Sequence, residues 1–170
     1  MTLIYPGSFD PVTLGHVDIA IRAAAIATRL VVAVLENPHK TPLFSTERRV
    51  ALLQDALGHV SNIEIDSFSG LLAEYAQYKA DGTTAIVRGL RTPGDFESEA
   101  RYATYNVKLS GGIETIFIPA SPSLSYIASS IVREAAFHIY SNKSDDVALR
   151  NMVSSKVQSA LRARFSEGDI

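Results

Sequence analysis

The chain alternates apolar runs of strand length with segments whose apolar residues recur at helical spacing. Leu3-Ile4-Tyr5 is a first short apolar run. From His16 to Thr28, the residues Val17, Ala20, Ile21 and Ala24 repeat at three- and four-residue intervals, which predicts an amphipathic helix. Leu30-Val31-Val32-Ala33-Val34-Leu35 is apolar throughout and rich in β-branched side chains. Such a run suits a strand covered on both faces, as in a parallel sheet. Asn37-Pro38 is expected to stop it. Ser45 is a helix cap ahead of Val50, Leu53 and Leu57, with Glu47 in the favourable first turn.

The same alternation continues. Asn62-Ile63-Glu64-Ile65 predicts a short strand, Leu71 to Lys79 a helix, and Thr84-Ala85-Ile86-Val87 another strand. Thr92, then Pro93, then Asp95 three residues after the cap, is the pattern of a helix start. Phe96, Ala100, Ala103 and Val107 are its expected buried stripe, and Gly111-Gly112 its stop before a strand from Ile113 to Ile118. A polar loop leads to a short helix from about Ser129. A final helix is expected over about 144–165, where Leu149, Met152, Val153, Val157, Ala160, Leu161 and Phe165 keep a helical period. Strands separated by helices indicate right-handed crossovers. The expected fold is therefore one α/β domain over residues 1–170: a Rossmann-like, doubly wound sheet of five parallel strands with helices on both faces. In such sheets ligands bind beyond the carboxyl ends of the strands, near the switch point.

Composition narrows the function. A chain of 170 residues that is 46% hydrophobic can bury a sizeable core in one domain. With 20% charged residues and a net charge of −2, it lacks the basic excess of a general nucleic-acid or membrane-surface binder, although a local basic cluster is compatible with that balance. No cysteine is present, which excludes disulfides and any cysteine-ligated zinc or iron–sulfur site. The start lacks the pattern of a secretory signal and no apolar run approaches membrane-spanning length, so a cytoplasmic location is expected. His59 and His138 stand apart from other metal-ligand residues and read as structural or surface side chains. The serine-hydrolase elbow, the P-loop and the Gly-x-Gly-x-x-Gly fingerprint are all missing.

The polar segments that follow strands are the candidates for chemistry. Tyr5-Pro6-Gly7-Ser8-Phe9-Asp10-Pro11-Val12-Thr13-Leu14-Gly15-His16 brings a backbone loop, a hydroxyl and an imidazole to a helix N-terminus, where unpaired N–H groups favour an anion. The alternative is a Gly-Pro turn followed by a surface histidine. Lys40, between two prolines, is either a point charge for a phosphate or a solvated loop lysine. Arg88 and Arg91 flank Gly89-Leu90 where a buried strand ends. They either project into a cleft, where the guanidinium fork matches phosphate oxygens, or make strand-end salt bridges. The acidic run Asp95 to Glu99 serves that salt bridging or brings Glu99 near a ribose or amine, with Asp95 and Glu97 read as capping or solvated. The serine-rich run from Ser121 to Ser130, with Arg133 one turn on, is either a flexible loop or a second phosphate site.

Together these segments make the chain resemble the bacterial phosphopantetheine adenylyltransferase family, nucleotidyltransferases related to class I aminoacyl-tRNA synthetases. The strings YPGSFDPVTLGH, NPHKTP, FSGLLAEYA, VRGLRTPGDFESE and SLSYIASSIVRE, spread over residues 4–134, carry that resemblance. It implies transfer of AMP from ATP to 4′-phosphopantetheine, giving 3′-dephospho-coenzyme A and pyrophosphate in the penultimate step of coenzyme A synthesis. It assigns His16 as stabiliser of the transferring phosphoryl group, with Lys40 and Arg91 as further catalytic residues. Ser8, Lys40, Leu72 and Arg88 would hold phosphopantetheine. Ser8, Phe9, His16, Gly89, Leu90, Arg91 and Glu99, with Leu124, Ser125, Tyr126, Ile127, Ala128, Ser129 and Ser130, would hold ATP. The resemblance further implies Mg²⁺ bound through the ATP phosphates with no protein ligand set, coenzyme A or its dephospho form as product or inhibitor, and a homohexamer.

Three departures mark this chain within the pattern. Thr13 occupies the first histidine position of the HxGH element, a change this family commonly shows. Ser8 replaces a frequent threonine and keeps the hydroxyl. Ala128 stands where a serine is often found, so any nucleotide contact there must come from the backbone. A sibling enzyme acting on nicotinamide mononucleotide or glycerol 3-phosphate is the first alternative, disfavoured by the RGLR element and by the single histidine of TLGH. A non-catalytic nucleotide-binding or regulatory domain is the second, disfavoured by the joint presence of His16, Lys40, Arg88 and Arg91. The residue types fit nucleotidyl transfer on their own terms. An acceptor phosphate is already ionised at neutral pH, so the site needs positioning and charge stabilisation more than a general base.

Overall fold

The order of strands across the sheet sets where a ligand cleft can open. In the computed structural model, which describes residues 1–36 and 41–166, the strands are β1 (Thr2–Gly7), β2 (Arg29–Glu36), β3 (Ile63–Ser69), β4 (Thr84–Leu90) and β5 (Glu114–Pro119). They form one five-stranded sheet in the order β3-β2-β1-β4-β5, and every neighbouring pair is parallel. The chain winds outward from β1 in one direction and then, after β3, crosses to β4 and continues the other way. The switch point therefore lies between β1 and β4, as the Rossmann-like expectation requires.

Helices α1 (Leu14–Ala25), α2 (Thr46–Leu57), α3 (Leu72–Lys79), α4 (Pro93–Leu109), α5 (Ser129–Ser141), α6 (Val147–Arg150) and α7 (Ser155–Ser166) cover the two faces of the sheet. Successive strand residues point to opposite faces, so the unbroken apolar runs feed two cores. Leu3, Leu30, Val32 and Val34 pack with Ala20 and Ala23 of α1, Leu53 of α2, Val132 of α5 and Leu161 of α7. Ile4, Val31, Ala33 and Ile86 pack on the other face with Tyr75 and Ala76 of α3. Complete burial of each such aliphatic side chain contributes about 1.5–3 kcal/mol. That is why continuous apolar strands demand helices on both sides.

Several boundaries differ from the sequence expectation. β4 does not stop at Val87: Arg88, Gly89 and Leu90 stay in register with Phe117, Ile118 and Pro119 of β5. Likewise β3 extends to Ser69, opposite Glu36. The final helix expected over 144–165 is two helices, α6 and α7, with a turn between them. Its helical period is unbroken because both pieces bury their apolar residues, yet the turn residues take other hydrogen bonds. The Met152 carbonyl accepts from the Leu14 amide at 2.8 Å, and Ser154 starts α7 by accepting the Gln158 amide on its carbonyl at 2.9 Å. Asp146 ties the pieces together, bonded by Arg162, by Arg150 at 3.6 Å and by the Tyr140 hydroxyl at 3.3 Å.

The α4 stripe is the other correction. Thr92 caps the helix as expected, with Asp95 completing the reciprocal bond, and Gly111-Gly112 follows it with positive φ at both residues. However, α4 buries no residue. Ala100, Ala103 and Val107 are only partly covered, and Phe96 is half-exposed, resting edge-on against Phe117 at 5.6 Å. Beneath it lies the sheet edge, because β5 has no further neighbour. Periodicity specifies an apolar face; it does not specify what covers it.

Candidate active site

At the carboxyl end of β1 the chain folds over itself. Phe9 is fully buried with φ of +46°, a backbone region that costs a bulky residue about 1–3 kcal/mol unless its surroundings hold it there. Its ring lies so close over Gly7 that a Cβ there would fall 2.9 Å from the ring. Gly7 is not among the glycines with positive φ, so what its missing side chain supplies is space. Tyr5 and His16 each meet Phe9 edge-to-face, at 5.4 Å and 5.1 Å.

Thr13 starts α1 and fixes His16. The Thr13 hydroxyl accepts the His16 amide at 3.3 Å, while the Thr13 amide donates to His16 Nδ1 at 3.1 Å. The Thr13 hydroxyl is also 3.1 Å from that nitrogen. Burial, reinforced by the charges of Arg91 and Arg88, lowers the His16 pKa to about 4. The ring is therefore neutral at pH 7.

The opposite wall comes from β4 and α4. Arg88 forms a two-pronged pair with Glu99, Nε and Nη2 each at 2.7 Å, and Nη1 donates to the Pro6 carbonyl at 2.9 Å. Burial works against this charge, but the Glu99 carboxylate overcomes it and holds the guanidinium pKa above its usual value. Arg91 donates from its backbone amide and from Nε to Asp95 Oδ2, at 2.9 Å and 3.3 Å. Burial opposes ionisation of Asp95, yet the Arg91 and Thr92 amides and the Arg91 charge bring its pKa below the usual carboxylate value. The arginine pair makes the salt bridges of the one reading, and both residues also line the cleft.

The third wall is the start of α5. Ser129 donates to the Pro11 carbonyl at 2.8 Å, and Arg133 donates to the Asp10 carbonyl at 2.6 Å. Asp10 is buried and accepts the Leu43 and Phe44 amides at 2.7 Å and 3.0 Å. Arg49, also buried, donates to the carbonyls of Ser8, Leu35 and Phe44. These bonds join the opening loop to the end of β2 and to the segment entering α2.

Comparison with known proteins identifies the family. A family model described as cytidylyltransferase-like matches residues 4–135. A phosphopantetheine adenylyltransferase of Alkaliphilus oremlandii is 43% identical over 162 residues, covering 95% of this chain and 98% of that protein. One from Caldanaerobacter subterraneus is 50% identical over 133 residues, covering 78% of this chain and 82% of that protein. The chain belongs to the phosphopantetheine adenylyltransferase family. Among solved structures, the Plasmodium falciparum nicotinic acid mononucleotide adenylyltransferase complexed with NaAD superposes with a TM-score of 0.65 at 14% identity, over 98% of this chain and 94% of that one. At that identity it speaks for the fold alone.

In this member of the phosphopantetheine adenylyltransferase family, most of the residues singled out from sequence converge. Ser8, Phe9, His16, Arg88, Gly89, Arg91, Glu99, Leu124, Ile127, Ala128, Ser129 and Ser130 line one cleft of about 460 Å³ at the switch point. Leu72, Leu90, Ser125 and Tyr126 do not line it. Leu72 packs beside the α3-side core, Leu90 accepts the Ala120 amide, Ser125 bonds to the Pro122 carbonyl, and Tyr126 is half-exposed. Lys40 lies outside the described residues. The cleft adds Thr13, Ile19, Asp95, Ala120 and Arg133. Arg133 was visible as a cation one turn beyond the serines. Ile19 and Ala120 have no sequence signal, because they reach the cleft only through the packing of α1 and the end of β5. His59 and His138 are exposed, as surface histidines.

Proposed function

We infer that this protein transfers the adenylyl group of ATP to 4′-phosphopantetheine, giving 3′-dephospho-coenzyme A and pyrophosphate. The observation that carries this reading is the near end-to-end similarity to phosphopantetheine adenylyltransferases, 43% over 95% of the chain, with His16, Arg88 and Arg91 on facing walls of one cleft. The acceptor phosphate attacks the α-phosphorus in line, and pyrophosphate leaves. Arg88 and Lys40 receive the acceptor, with Ser8 at the cleft wall and Leu72 beside the pantetheine arm. Arg91, Gly89 and the start of α5 receive ATP. His16 donates a hydrogen bond to the α-phosphoryl oxygen as charge builds there.

Mg²⁺ bound to the triphosphate would neutralise the leaving pyrophosphate. The cleft carboxylates suit a metal that arrives with the nucleotide, since Glu99 and Asp95 are each engaged by an arginine. Self-association into a homohexamer is supported by the large side chains that α4 leaves in solvent, Tyr102, Tyr105 and Leu109. A cytoplasmic site of action accords with a described chain in which no helix is long and apolar enough to cross a membrane. Dephospho-coenzyme A is the product and coenzyme A shares its chemistry, so both would compete for the cleft.

Pyrophosphate release from ATP, measured with each acceptor in turn, tests the reading. Turnover with phosphopantetheine alone is expected. Turnover with nicotinamide mononucleotide or glycerol 3-phosphate instead would select a sibling activity, and none with any acceptor would select a binding domain.

A further inference from the structure

The start of α1 contains a detail that ordinary helix capping does not require. A reciprocal cap usually places Glu or Gln at the third helical position, where a side-chain oxygen accepts the cap residue's amide. Here that acceptor is an imidazole nitrogen, His16 Nδ1, 3.1 Å from the Thr13 amide. A backbone amide can only donate. Nδ1 must therefore present its lone pair, and the single proton of the neutral ring sits on Nε2. The Thr13 hydroxyl, 3.1 Å from the same nitrogen, can add its own proton to that contact while its oxygen accepts the His16 amide. Phe9, edge-to-face at 5.1 Å and 81°, restrains the ring plane from the side. Nε2 has no protein partner among the described residues, and His16 lines the cleft.

We propose that Thr13 is a positioning residue that locks His16 in the Nε2–H tautomer, so that it meets the transferring phosphoryl group as a neutral donor. The proposal rests on the reading of His16 as an α-phosphate contact. It goes further by stating which atom carries the proton and what holds it there. A protonated ring would put an Nδ1–H against the Thr13 N–H, donor against donor. The charged groups around the ring act in the same sense or are already paired. Arg88 at the end of β4 and Arg91 just beyond it repel a further positive charge, while Glu99 and Asp95 from α4 are bonded to those arginines. From α5, Arg133 is held by Asp10.

The test is nitrogen NMR of the whole protein labelled in its histidine rings, combined with kcat between pH 6 and pH 8. The expected wild-type spectrum shows a pyridine-type Nδ1 and a pyrrole-type Nε2 for His16, unchanged over that range. Thr13→Ala removes the hydroxyl that fixes the cap, so the His16 resonances should begin to titrate and kcat should fall about three- to tenfold, more at pH 6 than at pH 8, with the KM for ATP within about twofold. Thr13→Ser, which keeps both donors, should restore the resonances and most of the lost kcat. A wild-type ring protonated at Nδ1, or titrating with an ordinary histidine pKa, overturns the lock. So does a Thr13→Ala protein that is less stable yet keeps its tautomer and its pH profile. His16→Ala separates the two claims: full activity in that variant defeats the phosphate contact while leaving the spectroscopic result standing.

Discussion

The two walls of the cleft are built by different physics, and each would meet an anion in its own way. The wall built from β1 and α1 uses a backbone loop and a neutral imidazole held by the Thr13 amide, with hardly a formal charge at the contact. The wall built from β4 and α4 uses two guanidinium groups, each steadied by a carboxylate from the same helix. Neutral donors aimed by backbone geometry lose little to salt and suit an oxygen whose charge changes during transfer. Paired charges hold a constant anion, and their contribution falls as ionic strength rises. On the proposed function, the first wall would bear on rate and the second on binding.

The largest expected effect tests the first wall. His16→Ala should lower kcat by about 10²–10³, the scale of losing one transition-state donor, with a much smaller change in KM. Steady-state pyrophosphate release measures both, and a near-normal kcat would erase the distinction between the walls.

Arg88→Ala tests the second wall. It should weaken the acceptor more than ATP, and equal weakening of both would remove the proposed division of labour. The variant also strands Glu99, a mostly buried carboxylate, so chemical denaturation should show a loss of about 1–3 kcal/mol. Combining Arg88→Met with Glu99→Gln should return much of that stability without returning acceptor binding.

Stability against pH sharpens the comparison from the side of His16. Its folded pKa of about 4 lies below its unfolded value, so between those values the unfolded chain binds a proton that the folded chain does not. Folding stability is therefore fully present above about pH 6.5 and declines as pH falls toward 4, by up to about 3 kcal/mol for this group. Urea unfolding of wild type and His16→Gln at pH 7 and pH 4.5 isolates the effect. Identical pH slopes in the two proteins would show that the ring is not held neutral. Gly89→Ala is the mildest case, because a Cβ would sit 3.1 Å from Ile19 Cγ1 and force that side chain aside. A loss of about 1 kcal/mol is expected in thermal or urea unfolding, with a small rise in the KM for ATP.

Much of this could be read from residues in order. The apolar run from Leu30 to Leu35 announced a strand buried on both faces, and Thr92-Pro93 with Asp95 marked a helix start where α4 begins. His16, Arg88, Arg91 and the serine run were identifiable because each lies at or just beyond the carboxyl end of a strand, and strands of a parallel sheet deliver those ends to one edge. Boundaries were less legible. The extension of β4 through Leu90 depends on β5 lying alongside, and the break between α6 and α7 depends on Leu14, which is remote from it in sequence.

By itself, the order of residues determined the alternation of elements, the two-faced burial of the strands and the segments that could face a ligand. Those follow from periodicity, capping and turn chemistry, which act over a few neighbouring residues. The tertiary structure alone decided the pairing of Arg88 with Glu99, the pressing of Phe9 over Gly7, the exposure of the α4 stripe and the nitrogen of His16 that faces the cleft. Each of these depends on which atoms come within a few ångströms once the elements have packed, and no spacing rule encodes that.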